Sequence, residues 1–226
     1  MPPLEDTCCT RCGTCCKNGG PALHAEDAAR LGRSGLDLVH LQTLRRGEMV
    51  TDNPSGEVRA LECEVVRVRP APGSAACYFY VPDQRGCAIY ADRPAECRAL
   101  LCKDTAALEA MYAENRLSRR ALLPEGHALL QLLDEHDRKA DPAELGRLAR
   151  EVVHGKDEDA RREAVRGIAA MLAYDEDVRA LTLERAGLPA EALDFLFGRP
   201  LADALLGFGL RARGRDAAFR LTRIPT

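Results

Sequence analysis

All ten cysteines of the chain lie before residue 103, and five of them, Cys8, Cys9, Cys12, Cys15 and Cys16, fall within nine consecutive positions. This crowding limits the fold more than any hydrophobic pattern does. Gly13, Gly19, Gly20 and Pro21 interleave and follow the cysteines, so the segment reads as a tight loop rather than a helix. Five thiols on such a loop do not pack as ordinary core side chains. Thiolates are soft ligands, and Cys-x2-Cys spacing lets one loop aim two sulfurs at one ion. The opening MPPLEDTCCTRC carries two acids and no basic-then-apolar leader, so no secretory signal is read. No stretch approaches the ~20 apolar residues of a membrane helix. The expected location is cytoplasmic, where clustered cysteines serve as metal ligands or redox groups more often than as disulfides.

A second group follows at Cys77, Cys87, Cys97 and Cys102. Adjacent side chains diverge, so Cys15 and Cys16 serve different ions, bridge a pair, or leave one sulfur free. Cys9, Cys12, Cys15 and Cys16, spaced Cys-x2-Cys-x2-Cys-Cys, together with the second four suit two four-coordinate zinc or iron sites, or a cluster beside a mononuclear site. Spacing alone does not partition them.

The run Cys9-x2-Cys12-x2-Cys15-Cys16, followed downstream by GCAIYADRPAECRALLC, resembles the bacterial YkgJ-type cysteine-cluster family of zinc- or iron-chelating domains, over residues 8–103. The resemblance implies metal ligation by Cys9, Cys12, Cys15, Cys16, Cys77, Cys87, Cys97 and Cys102. It also marks Tyr90, Arg93, Pro94 and Arg98 as motif positions. Cys8 and Cys63 depart from the pattern and stand as second-choice ligands. In physical terms, Pro94 can start a helix that delivers Cys97 and Cys102. Arg93 and Arg98 can donate to thiolates or to carbonyls, with plain salt bridges as the alternative.

Periodicity sets the fold class. Leu31, Leu38, Leu41 and Leu44 suggest two short helices between His24 and Gly47. Residues 57–69 alternate as a strand, 77–90 read as a hairpin, and Asp92 is the expected N-cap of a helix with Pro94 in its first turn. Downstream, helices are predicted over 105–117, 126–136, 141–155, 158–173, 175–186, 189–197 and 200–207. The third of these carries Asp141 as N-cap, Pro142 at N1 and Gly155 as its stop. The expected architecture is α+β, mostly α: a small cysteine-rich metal-binding domain with a short β-hairpin over 1–103, then a helical bundle over 104–226. The arginine-rich tail reads as a solvated helix face or a fraying end.

A net charge of −3 gives no electrostatic drive toward nucleic acid or acidic lipid, and aromatics at 4% with no Trp offer little base stacking. Neither nucleic acid nor membrane is an expected partner; a protein partner is expected through the C-terminal helices. No G-x-G-x-x-G or G-x-x-x-x-G-K-[ST] loop is present. Cys8-x3-Cys12-x2-Cys15 has radical-SAM spacing, but no strand precedes it and no βα units follow. His24 is the histidine nearest the cysteine loop, readable as a ligand or as a helix-start residue. The acidic runs at 134–137 and 157–159 read as solvated faces and caps. The expected function is metal binding by clustered thiolates, in redox chemistry, metal handling or protein maturation. The alternative is a metal-dependent protein-modifying enzyme akin to a lysine N-methylase, a possibility opened by the family's reach, and whether the chain is an enzyme stays open. Adjacent cysteines and more than four ligands favour an iron–sulfur cluster or iron, with zinc as the alternative.

Overall fold

The computed structural model describes residues 11–33, 35–52 and 55–224. In chain order the regular elements are α1 (Thr14–Lys17), β1 (Leu41–Leu44), β2 (Met49–Thr51), β3 (Val58–Ala60), β4 (Val65–Val68), β5 (Tyr80–Val81), β6 (Gly86–Cys87), α2 (Ala95–Ala99) and α3 (Ala106–Met111). They continue with α4 (Ala128–Lys139), α5 (Pro142–His154), α6 (Glu158–Ala186), α7 (Ala192–Phe197), α8 (Leu201–Leu206), β7 (Leu210–Arg213) and β8 (Arg220–Arg223). The fold is α+β and mostly α, as expected. Among the described residues no helix is long and apolar enough to cross a membrane.

The chain divides into two units, Met1–Gln42 with Val65–Leu122, and Thr43–Glu64 with Leu123–Thr226. A cut at 103 therefore does not separate them: the 43–64 segment goes with the C-terminal helices, and 104–122 goes with the cysteine-rich part.

In the first unit, β1 pairs with β4, and the chain leaves the unit within β1. The expected helices between His24 and Gly47 are instead 3-10 turns at Ala25–Arg30 and Leu38–His40, followed by strand β1. Gly32 and Gly35 both hold positive φ and break the helical path, and Leu41–Leu44 are all buried in the strand. The expected strand over 57–69 is two strands, because β3 turns back on β2 and β4 leaves for β1. The 77–90 hairpin forms as β5 against β6, with Tyr80 opposite Cys87. The cysteine loop is not purely a loop. Gly13 at φ +77° redirects the chain so that Thr14–Lys17 close one helical turn.

The second unit is built on α5 and α6. Leu145, Leu148 and Ala149 of α5 pack with Ala164, Ile168, Met171 and Leu172 of α6, and with Leu201, Ala204, Leu205 and Leu210. Helix α5 is capped as its sequence implies, the Asp141 carboxylate accepting from Ala143 N–H at 2.9 Å. Two other expectations fail here. The predicted helices 158–173 and 175–186 are one 29-residue helix, α6, capped by Asp157. The arginine-rich tail is a β-hairpin, β7 on β8, with Ala212 opposite Leu221 on its inward face.

Asp175 explains the unbroken helix. Its carboxylate does not cap its own helix; it accepts from Leu201 N–H at 2.8 Å, His136 Nε2 at 2.7 Å and Arg179 Nε at 3.0 Å, all buried. Arg45 donates to His136 Nδ1 at 3.2 Å and to Ala140 O at 2.9 Å, which ties the 43–64 segment into the unit. Arginine has no acceptor, so Nδ1 of His136 is the acceptor and its proton sits on Nε2, facing Asp175. Burial lowers the His136 pKa below its ordinary value against the pull of Asp175, and the Arg45 charge lowers it further. Burial alone would raise the Asp175 carboxyl, but His136, Arg179 and the Leu201 amide reverse this and bring it to about 2.

Stability of this unit should therefore fall as pH drops below 6.5, since the unfolded histidine takes up a proton that folded His136 refuses. It should fall again between 3.8 and about 2 as Asp175 protonates. Asp175→Ala should cost about 3–5 kcal/mol by stranding Arg179 and the Leu201 amide. Urea unfolding followed by circular dichroism at several pH values measures both effects; a flat profile from pH 7 to 5 would contradict the assignment.

Candidate metal centre

Three pieces of the first unit deliver sulfur: the α1 turn carries Cys15 and Cys16, the β5–β6 hairpin is flanked by Cys77 and ends in Cys87, and α2 carries Cys97. Backbone contacts bring the first two together. Cys77 N–H donates to Cys16 O at 2.7 Å, so the residue before the hairpin is bonded directly to the adjacent-cysteine pair. Gly20 passes so close to β4 that a Cβ there would stand 2.2 Å from Val68 O, and a Cβ on Gly13 would meet the Tyr80 ring at 2.6 Å. Only glycine lets the loop lie this near.

The sulfurs of Cys15, Cys16, Cys77, Cys87 and Cys97 all feel one another electrostatically. The Cys15 and Cys16 sulfurs are 3.9 Å apart. Burial, then the neighbouring Cys15, pushes the Cys16 thiol up to about 12. Burial pushes Cys77 up to about 11, and burial followed by the other cysteines raises Cys97 as well. Cys87 is raised by burial and pulled partly back by the Ile89 amide and Arg93. Without a cation these thiols hold their protons, because several thiolates side by side repel one another. Among the described residues no three His, Cys, Asp or Glu side chains stand at ion-holding spacing. The donor set nonetheless fits a thiophilic metal in kind: five soft sulfurs from three elements lie within electrostatic reach of one another, two of them on adjacent residues.

The other expected ligands are placed differently. Cys12 and Cys102 are exposed, and Cys12 donates to Thr14 Oγ1 at 3.3 Å. Cys63 is exposed in the second unit. Cys8 and Cys9 lie outside the described residues. His24 is a helix-start residue, buried, with Nδ1 on Glu114 O at 2.8 Å and Nε2 at 3.4 Å from Glu96.

The guanidinium groups of Arg93 and Arg98 donate to backbone carbonyls and to a carboxylate. Arg93 donates to Tyr90 O at 2.9 Å and Cys97 O at 3.4 Å, and Arg98 donates to Arg93 O at 2.8 Å and Glu26 at 2.8 Å. Arg11 and Arg93 both lie over the Tyr90 ring, at 4.0 and 4.1 Å from its centre. These two contacts on one ring link the residue before Cys12 to the segment before α2.

Asp92 does not cap α2. Its first residue, Ala95, donates instead to Asp27 Oδ1 at 2.9 Å. Asp27 and Glu96 were not legible as site residues, although a helix opening directly after Pro94 signals that its first amide needs an acceptor from elsewhere.

Residues 8–115 match the model of the CxxCxxCC family, zinc- or iron-chelating domains. This segment is similar to that family. It makes up just under half of the chain, contains every cysteine, and extends past the 8–103 stretch to include α3. No curated protein and no solved structure matches the chain. The family description supports metal binding, and the raised thiols state its energetic condition: an ion must displace their protons. Apparent metal affinity should thus climb steeply with pH, with more than one proton released per ion. Chelator competition across pH, or calorimetry in buffers of different ionisation enthalpy, measures this; a pH-independent affinity would exclude these thiols as ligands.

Proposed function

We propose that the 8–115 segment holds iron, as an iron–sulfur cluster or as iron alone, on Cys15, Cys16, Cys77, Cys87 and Cys97, with Cys9, Cys12 and Cys102 completing the ligand set. The observation that carries this reading is the convergence of five sulfurs from the α1 turn, the hairpin and α2, every pair within electrostatic reach. A closed structural zinc site needs four ligands with divergent directions, whereas five gathered sulfurs including an adjacent pair suit a cluster or a bridged pair of ions. A cluster bound there would supply one-electron redox chemistry, and burial together with nearby guanidinium groups would tune its potential. The chain's own part is to collect the thiols and hold them in place. This supports a role in electron transfer or metal handling rather than substrate activation.

Anaerobic purification with elemental analysis and a visible spectrum tests the reading. The expected result is a coloured protein with stoichiometric iron that bleaches on acidification. A colourless protein with stoichiometric zinc would overturn the choice of iron, and a metal-free protein that stays folded would overturn metal binding. Cys16→Ser and Cys97→Ser should each release most of the metal, while Cys63→Ser should retain it.

A further inference from the structure

We infer that Asp27, assisted by Glu96, is a positioning residue that fixes Cys97 against the cysteine loop, a role resting on the metal-binding reading above. Asp27 is fully buried, and its two carboxylate oxygens serve two different segments. Oδ2 accepts from His24 N–H at 3.0 Å, and Oδ1 accepts from Ala95 N–H, the first amide of α2, at 2.9 Å. From the other side Glu96 reaches back. Its Oε2 accepts from Ala22 N–H at 2.8 Å, and its Oε1 lies 3.4 Å from His24 Nε2. Residues 22–27 and the start of α2 are thus cross-tied in both directions, a carboxylate from each holding an amide of the other.

The two tied segments are those that matter for the metal centre. Ala22 follows the cysteine loop through Gly19, Gly20 and Pro21, and Cys97 sits one residue beyond Glu96. Pro94, the N-cap of α2, has no side-chain acceptor, so without Asp27 the Ala95 amide would be left buried and unpaired. Arg30 at 3.6 Å and Arg98 at 3.9 Å surround the Asp27 carboxylate and balance its charge. A helix of five residues has little intrinsic stability. Its placement, and with it the placement of the Cys97 sulfur, depends on these ties.

The test uses the full chain, reduced and metal-free, pulsed with iodoacetamide, with the alkylation of each cysteine resolved by mass spectrometry. Asp27→Ala should speed alkylation of Cys97 by roughly tenfold or more while Cys77 stays within about twofold of wild type. Asp27→Asn, which keeps one acceptor oxygen, should fall between them. If Asp27→Ala exposes Cys77 equally, the unit has unfolded, and Glu96→Ala, mild in a helix, decides: selective exposure of Cys97 supports the assignment, and none overturns it. An unchanged Cys97 rate in both variants also overturns it. A parallel Co²⁺ titration should show Asp27→Ala binding roughly 10- to 100-fold more weakly than wild type, the usual size of an outer-shell loss. Equal affinity would overturn the positioning role. Wild-type protein that takes up no Co²⁺ would instead overturn the metal reading, while the alkylation rates still judge the tie itself.

Discussion

Each unit of this protein depends on a buried carboxylate that completes a helix it does not belong to. In the first, Asp27 accepts the opening amide of α2; in the second, Asp175 accepts the opening amide of α8. Both helices follow a proline at the N-cap, Pro94 and Pro200. Proline fixes the entry angle but offers no side-chain oxygen, so the acceptor must come from elsewhere in the fold. A single ionic side chain then does three jobs at once: it satisfies an otherwise stranded amide, it binds cationic neighbours, and it sets the spacing between segments distant in sequence.

The metal centre inherits its geometry from such ties and its chemistry from burial. Burial raises the Cys16, Cys77, Cys87 and Cys97 thiols, so an ion bound there must displace their protons. Contacts away from the sulfurs do the gathering: Cys77 N–H on Cys16 O, the glycine approach of the loop to β4, and the Arg11 and Arg93 guanidinium groups over the Tyr90 ring. None of these needs the ion.

Much of the fold was legible because the signals are local. The hairpin at Cys87, helix α5 with Asp141 and Pro142, and the α+β balance all follow from residues within a few positions of one another. The misreadings share one cause. Leu41 and Leu44 look helical until β4 supplies a strand partner; Asp175 looks like a helix start until His136 and Leu201 claim its carboxylate; the tail arginines look like a helix face until β7 and β8 pair. In each case a contact made across the chain outweighed a local preference worth less than a kcal/mol per residue.

Sequence alone pointed to metal binding through clustered thiols, since five thiols in nine positions on a glycine-rich run leave few other uses, and it singled out eight cysteines as candidate ligands. Tertiary structure decided which sulfurs converge and what holds them. Cys16, Cys77, Cys87 and Cys97 come within electrostatic reach because strand pairing, close glycine contacts and the Asp27–Ala95 hydrogen bond join segments distant in sequence. Spacing along a chain fixes ligand type and local reach, whereas convergence is set by hydrogen bonds between residues tens of positions apart, and these exist only once the backbone has folded.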